Sequence, residues 1–144
     1  MRRLAFLLVS ITITYAYDRE NVVCDDYDTR QEAFCGYDFV AHVVVTSKRR
    51  ITVGEGWPRY TYDVEYIEIF KGDGELPKIV MAYPTDHIPK RFHGVDLEKG
   101  KEYVIAGQAE LNTWLNDCPV RERLLTEWDQ LSEEEKNELR TFEC

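Results

Sequence analysis

Histidine is scarce in this 144-residue chain, with three in all, and none of the four cysteines forms a Cys-x-x-Cys pair. Structural zinc sites need such ligands in close clusters. His87 and His93 stand six apart with only Asp86 and Asp96 near them, and His42 sits inside an apolar stretch. A metal site is not expected, nor is any cofactor. The chain also has no Gly-x-Ser-x-Gly elbow, no phosphate loop and no His-Glu-x-x-His, which removes the commonest hydrolase and nucleotide chemistries. Carboxylates abound, but a chain this acidic pairs them by chance, so an enzyme is not expected. Cations are outnumbered, 18 Lys and Arg against 27 Asp and Glu, for a net charge of −9. That balance excludes a nucleic-acid partner, since little would displace counterions from phosphate, and it equally excludes an anionic membrane surface. The one basic cluster, Lys48-Arg49-Arg50, reads as a solvated turn. Sequence repeats, low-complexity tracts, interdomain linkers and Asn-x-Ser/Thr glycosylation sites are all lacking.

What is present begins with a targeting signature. Arg2 and Arg3 form a basic start, residues 4–13 an apolar core, and Thr14-Tyr15-Ala16 leaves small residues at the −3 and −1 positions of a cleavage site. The run is too short for a membrane span, and no second run of that length follows. Residues 1–16 therefore read as a signal peptide and residues 17–144 as one secreted, extracellular domain. Cleavage removes two arginines and takes the balance from 18 − 27 = −9 to 16 − 27 = −11.

Four cysteines in an exported chain of this size predict two disulfides. Pairing Cys24 with Cys35 and Cys118 with Cys144 would close short local loops. Either crossed arrangement closes loops of roughly a hundred residues, each restricting the unfolded chain by about 4–5 kcal/mol in the entropic account. The sequence alone leaves the choice open.

Periodicity supplies the elements. Residues 25–33 read as acidic and irregular. Residues 39–46 are β-branched and predict a strand, and residues 47–58 a long hairpin connection carrying Gly54, Gly56 and Pro58. Residues 59–70 alternate Tyr60, Tyr62, Val64 and Tyr66 with polar neighbours, and then Ile67 and Ile69 take the opposite phase. A period-2 run that changes faces predicts a bulge. Further strands are predicted over 78–83, 101–110 and 111–116, with a helical turn over 121–127. Ser132 with Glu135 forms a capping box ahead of a helix over 133–141, whose inward contacts are Leu139 and Phe142. Nine tyrosines and three tryptophans could stack single strands, but the charge opposes that. Alternating tyrosines read instead as a barrel face packed on one side and wetted on the other. The fold class is mainly β: a five-stranded closed barrel like the OB fold, with a C-terminal α-helix, stapled by disulfides.

Several stretches, taken in order, carry a family resemblance: Ala33-Phe34-Cys35 then Asp38-Phe39-Val40; Phe70-Lys71-Gly72; Tyr83-Pro84-Thr85; Ile105-Ala106-Gly107; Cys118; and Trp128-Asp129-Gln130-Leu131-Ser132. Over residues 24–144 the chain resembles the netrin-like domain of the tissue inhibitors of metalloproteinases, and in length the single-domain type secreted by nematodes. The resemblance implies Cys24–Cys118 and Cys35–Cys144 as the bridges. It also implies metalloproteinase-inhibitor activity, with a partner-binding ridge of Cys24, Asp25, Asp26, Tyr27, Tyr83, Pro84 and Thr85, flanked by the loops over 47–57 and 83–91. The expected partner is an extracellular protein, a zinc metalloproteinase, and the expected state a monomer. One departure is specific. Family inhibitors begin Cys-x-Cys, and the first cysteine's free amine and carbonyl chelate the target's zinc. Here Val22 stands in that place, and Arg91 stands near that of its partner. The alternative implied is a non-inhibitory module that binds an extracellular protein through the same barrel.

Overall fold

The long ladder between β1 (Phe39–Ile51) and β2 (Arg59–Lys71) sets the architecture. The computed structural model describes residues 24–52, 54, 56, 58–86, 94–109, 113–115, 118–120 and 122–144. Tyr62, Val64 and Tyr66 face one core with Phe39, Ala41, Val43 and Val45 of β1. Val43 pairs with Tyr66 and His42 with Glu68, so Ile67 is the extra residue of a bulge. Beyond it the faces exchange: Glu68 shares the side of His42, and Phe70 packs into a second core. The change of phase in the sequence therefore marks a real bend of the strand.

β3 (Ile79–Ala82) adds antiparallel to the start of β2, and β5 (Thr113–Leu115) adds parallel to β3. On the other side, β4 (Glu102–Gly107) pairs with β1, and a two-residue β6 (Thr126–Glu127) pairs with β4. The order is β5-β3-β2-β1-β4-β6. Six strands, not five, form a curled half-barrel. Among the described residues no ladder joins β5 to β4, although Gly107 lies close to the Thr113 methyl group. The extra strand falls where a helical turn over 121–127 was expected. Thr126 and Glu127 instead extend along Val104 and Tyr103, and Lys101 donates to the Glu127 carboxylate at 2.9 Å.

Two further expectations are corrected. Lys48, Arg49 and Arg50 belong to β1 and not to a turn. Each cation has a cross-strand partner: Lys48 pairs with Asp96 and lies 4.2 Å from the Tyr60 ring centroid, Arg49 meets Asp63 at 3.3 Å, and Arg50 lies over Tyr60. Such pairs let charged residues continue a strand. Residues 25–33 are not all irregular, because α1 (Arg30–Gly36) begins there. Thr29 caps it, accepting from the Glu32 amide at 3.1 Å.

The second core lies on the opposite face of β1 and β4. It combines Val40, Val104 and Ala106 with Ala33 and Phe34 of α1, and with Leu124, Leu131 and Leu139. Leu139 belongs to α2 (Glu133–Thr141), whose N-terminus carries the full Ser132–Glu135 capping box. Phe142 meets Phe34 edge-on at 5.3 Å. Lys71 sits under the end of α1, its ammonium donating to the carbonyls of Phe34 at 3.1 Å, Cys35 at 2.6 Å and Tyr37. A cation there satisfies carbonyls that a helix end leaves open. His42, buried on this face, lies 2.8 Å from the Glu102 carboxylate and stacks on Trp128 at 3.8 Å.

Candidate partner-binding ridge

Two disulfides tie the N-terminal segment to the C-terminal one. Cys24 is bonded to Cys118, and Cys35 of α1 to Cys144, spanning 94 and 109 residues. The first bridge fixes the start of the described chain to the 3-10 turn Cys118–Val120. Asp25 and Asp26 follow it with exposed side chains, and Tyr27 turns back toward the body of the protein. The Tyr27 ring packs 6.2 Å from Tyr37, and its hydroxyl donates to Asp25 at 3.3 Å. Burial first, and then the Asp25 carboxylate, push the Tyr27 hydroxyl above the ordinary tyrosine range. Gly36 leaves the room for this: a Cβ there would lie 2.2 Å from the Tyr27 oxygen.

The other half of the ridge follows β3. Pro84 is buried and Thr85 exposed, while the Tyr83 ring stacks on Trp114 of β5 at 4.8 Å. A relay from the barrel interior holds this segment. The Val95 amide donates to the Tyr83 carbonyl at 2.9 Å. The buried Tyr62 hydroxyl donates to the Val95 carbonyl at 3.3 Å and accepts from the Leu97 amide at 3.1 Å. Burial pushes the Tyr62 hydroxyl well above its ordinary range, with the Leu97 amide acting in the opposite direction. At Gly94 the chain passes so close to Pro84 that a Cβ would lie 2.7 Å from the Pro84 carbonyl oxygen. Residues 94–97 in turn share a groove with Val120, Leu125 and Gln130. The groove brings the backbone behind Tyr83 and Pro84 to within one surface feature of the turn that carries Cys118.

The ridge residues thus fall into two anchored segments, one held by a disulfide and one by hydrogen bonds. Trp57 and all of residues 87–93, which include His87, Arg91, His93 and the later part of the flanking loop over 83–91, lie outside the described residues, as do the leader and residues 17–23. Among the described residues, no three His, Cys, Asp or Glu side chains converge in metal-ligand geometry. No described helix is long and apolar enough to cross a membrane. Three residues to which the sequence assigned no part in the site matter here: Tyr62, read as a strand residue, Gly94, read as a turn signal, and Trp114. Tyr62 reads as one more alternating core tyrosine, and its hydroxyl's role depends on a loop thirty-three residues away. A lone glycine before a Val-Asp-Leu stretch carries no local signal of close approach.

Two exposed segments anchored to the body of the protein, one by a disulfide and one by hydrogen bonds, form a surface suited to contact. The family model for tissue inhibitor of metalloproteinase matches residues 20–142. The chain belongs to that family. No curated protein matches it as a relative. The family is described by metalloproteinase inhibition and not by an enzymatic activity. Membership also gives the Phe70-Lys71-Gly72 stretch a physical meaning in this member. Lys71 closes α1, and a Cβ at Gly72 would lie 3.1 Å from Leu76 and 3.2 Å from Phe39, at a φ of 139° that favours glycine. The tissue-inhibitor match begins four residues before Cys24, so Cys24 is internal to the matched region.

Proposed function

We propose that the chain is a secreted, netrin-like inhibitor that binds an extracellular zinc metalloproteinase through Cys24, Asp25, Asp26 and Tyr27 together with Tyr83, Pro84 and Thr85. The observation that carries this reading is the Cys24–Cys118 bridge. It holds Asp25 and Asp26 at the surface and joins them to a turn sharing a groove with the support of Pro84. Held segments lose little freedom on docking, and that saving goes into affinity. Residues 1–16 act as the signal peptide in this proposal, and the mature, single domain starts at Tyr17. A closed OB-type barrel, read from the strand pattern of the sequence, and the nematode single-domain type, read from resemblance, belong to the same proposal.

Zinc chelation by the chain end is not part of the mechanism. Val23 precedes Cys24 in the sequence, so the Cys24 nitrogen is a peptide nitrogen with no lone pair to donate. Binding would proceed by surface complementarity that blocks the cleft. This substitution also supports a second reading, a module of the same fold that docks on an extracellular protein without inhibiting it. Titration of the secreted protein against a panel of metalloproteinases, with the mature N-terminus sequenced, separates the two. Slowed turnover with a 1:1 endpoint supports inhibition; unchanged rates at micromolar protein exclude it.

A further inference from the structure

β2 hands the chain to β3 through residues 72–78, a connection pinned at both ends and loose in the middle. At its start, the α1 carbonyls hold the Lys71 ammonium, and the Gly72 backbone packs against Phe39 and Leu76. At its end, Leu76 is buried in the barrel core, and the Tyr66 hydroxyl donates to the Pro77 carbonyl at 2.6 Å. The Val64 amide donates to the Lys78 carbonyl at 2.9 Å. Between these anchors Asp73, Gly74 and Glu75 are exposed. Asp73 makes no hydrogen bond or ion pair among the described residues, whereas the carboxylates of Asp25, Asp38, Asp63 and Asp96 each accept a hydrogen bond. Gly74 has a φ of 77° and open space where a Cβ would stand. This is the one Asp-Gly pair in the chain.

We propose that Asp73–Gly74 is a site of spontaneous modification, at which the folded protein converts aspartate to isoaspartate. The chemistry needs only these two residues and water. The Gly74 amide nitrogen attacks the side-chain carboxyl carbon of Asp73 in its protonated form. A C–N bond forms, and the carboxyl hydroxyl leaves as water with the amide proton. The five-membered imide then takes up one water. Breaking the new C–N bond restores aspartate. Breaking the original peptide C–N bond leaves the chain running through the side chain, with a free α-carboxylate. Nothing is oxidised or reduced, and the mass returns to its starting value. Three features favour the attack here. Glycine puts no Cβ beside the attacking nitrogen and lets the backbone turn freely. The partnerless carboxyl is free to swing onto it. Neither residue belongs to a strand or helix that the ring would have to break. The product carries one more backbone carbon, and the exposed residues 73–75 absorb it with Leu76 and Pro77 left in place. The site lies outside the proposed contact segments and does not depend on that reading.

The test ages the purified, folded protein in mildly acidic and in neutral buffer at body temperature, beside Asp73→Glu and Gly74→Ala. A synthetic peptide of residues 70–76 sets the time scale. Isoaspartate is read by enzymatic methylation of the new α-carboxylate and placed by peptide mapping, with a transient loss of one water marking the imide. Isoaspartate is expected at residue 73 ahead of every other aspartate, absent there in Asp73→Glu and slowed by about tenfold or more in Gly74→Ala. Asp73→Glu keeps the charge at an exposed position, and so guards against the strain that a side chain at a φ of 77° brings to Gly74→Ala. The modified protein, separated by chromatography, is expected to keep the wild-type unfolding temperature. Asp73 intact in the protein once the peptide has converted, or equal labelling of wild type and Asp73→Glu, overturns the site. A lower unfolding temperature in the modified protein overturns the tolerance of the loop and leaves the site standing.

Discussion

Tyr62 carries one hydroxyl into the core, and two backbone groups depend on it. Replacement by phenylalanine leaves the Leu97 amide buried without its acceptor, at a cost of about 1–3 kcal/mol. The loss is expected to fall on residues 94–97 and, through Val95, on the Tyr83 carbonyl. Amide exchange at Val95 and Leu97 should quicken more than exchange in β1, and equal loss of protection throughout would assign Tyr62 a purely global role. The same burial has a pH signature. Tyr62 and Tyr66 hold their hydroxyls protonated above the ordinary value, Tyr66 up to about 12, in both cases first through desolvation. A raised folded-state value means the contribution is complete below the unfolded pKa of about 10 and fades as pH rises past it. Stability should therefore decline above pH 10, with ultraviolet titration showing a tyrosine fraction that ionises only on unfolding. Glu68 runs the other way. Its hydrogen bond from Arg140 lowers its pKa, so that small, solvent-screened contribution is present above the ordinary carboxylate range and fades in acid.

Among the elements, α1 is short and depends on its two ends. Thr29 meets the first, and the Lys71 ammonium meets the last with three carbonyls. Lys71→Met keeps the apolar stem and removes the donor. A destabilisation of about 1.5–3 kcal/mol is expected from charge-assisted bonds of this kind, measured by denaturant unfolding; a change under half of that would show water replacing the ammonium. Ser132→Ala, which removes one half of the α2 capping box, should cost about 1 kcal/mol. These elements also show what the chain discloses by itself. The bulge in β2 and the start of α2 are legible because each is written locally, one as a change of alternation and the other as Ser132 with Glu135. α1 was equally written, in Thr29 with Glu32, but four acidic residues from Asp25 to Glu32 obscured it. β1 beyond Thr46 was not legible, since its lysine and arginines continue the strand only because Asp63, Asp96 and Tyr60 lie across from them. Tyr83 and Trp114 come together solely through the parallel pairing of β3 with β5, which no spacing announces.

For the molecule as a whole, the two bridges do what the terminal helices cannot do alone. They bind residues 24–35 to residues 118–144 across a sheet that both sides share. Replacing Cys35 and Cys144 together with serine should cost about 2–5 kcal/mol, read by thermal unfolding, while the tryptophan environment of the sheet is kept at low temperature. A loss below 1 kcal/mol would mean that the second core holds α1 and α2 without the link.

The crossed pattern also governs the order of events during synthesis. While the ribosome is still short of residue 118, Cys24 and Cys35 have only each other, and neither final partner exists. Oxidation at that moment joins the wrong sulfurs, so correct maturation requires either thiols kept reduced until Cys118 and Cys144 have emerged or an isomerase to undo the early link. Pulse-labelling with thiol trapping tells the two routes apart: the isomerase route passes through a 24–35 species that gives way to 24–118 and 35–144, and the reduced route never shows it.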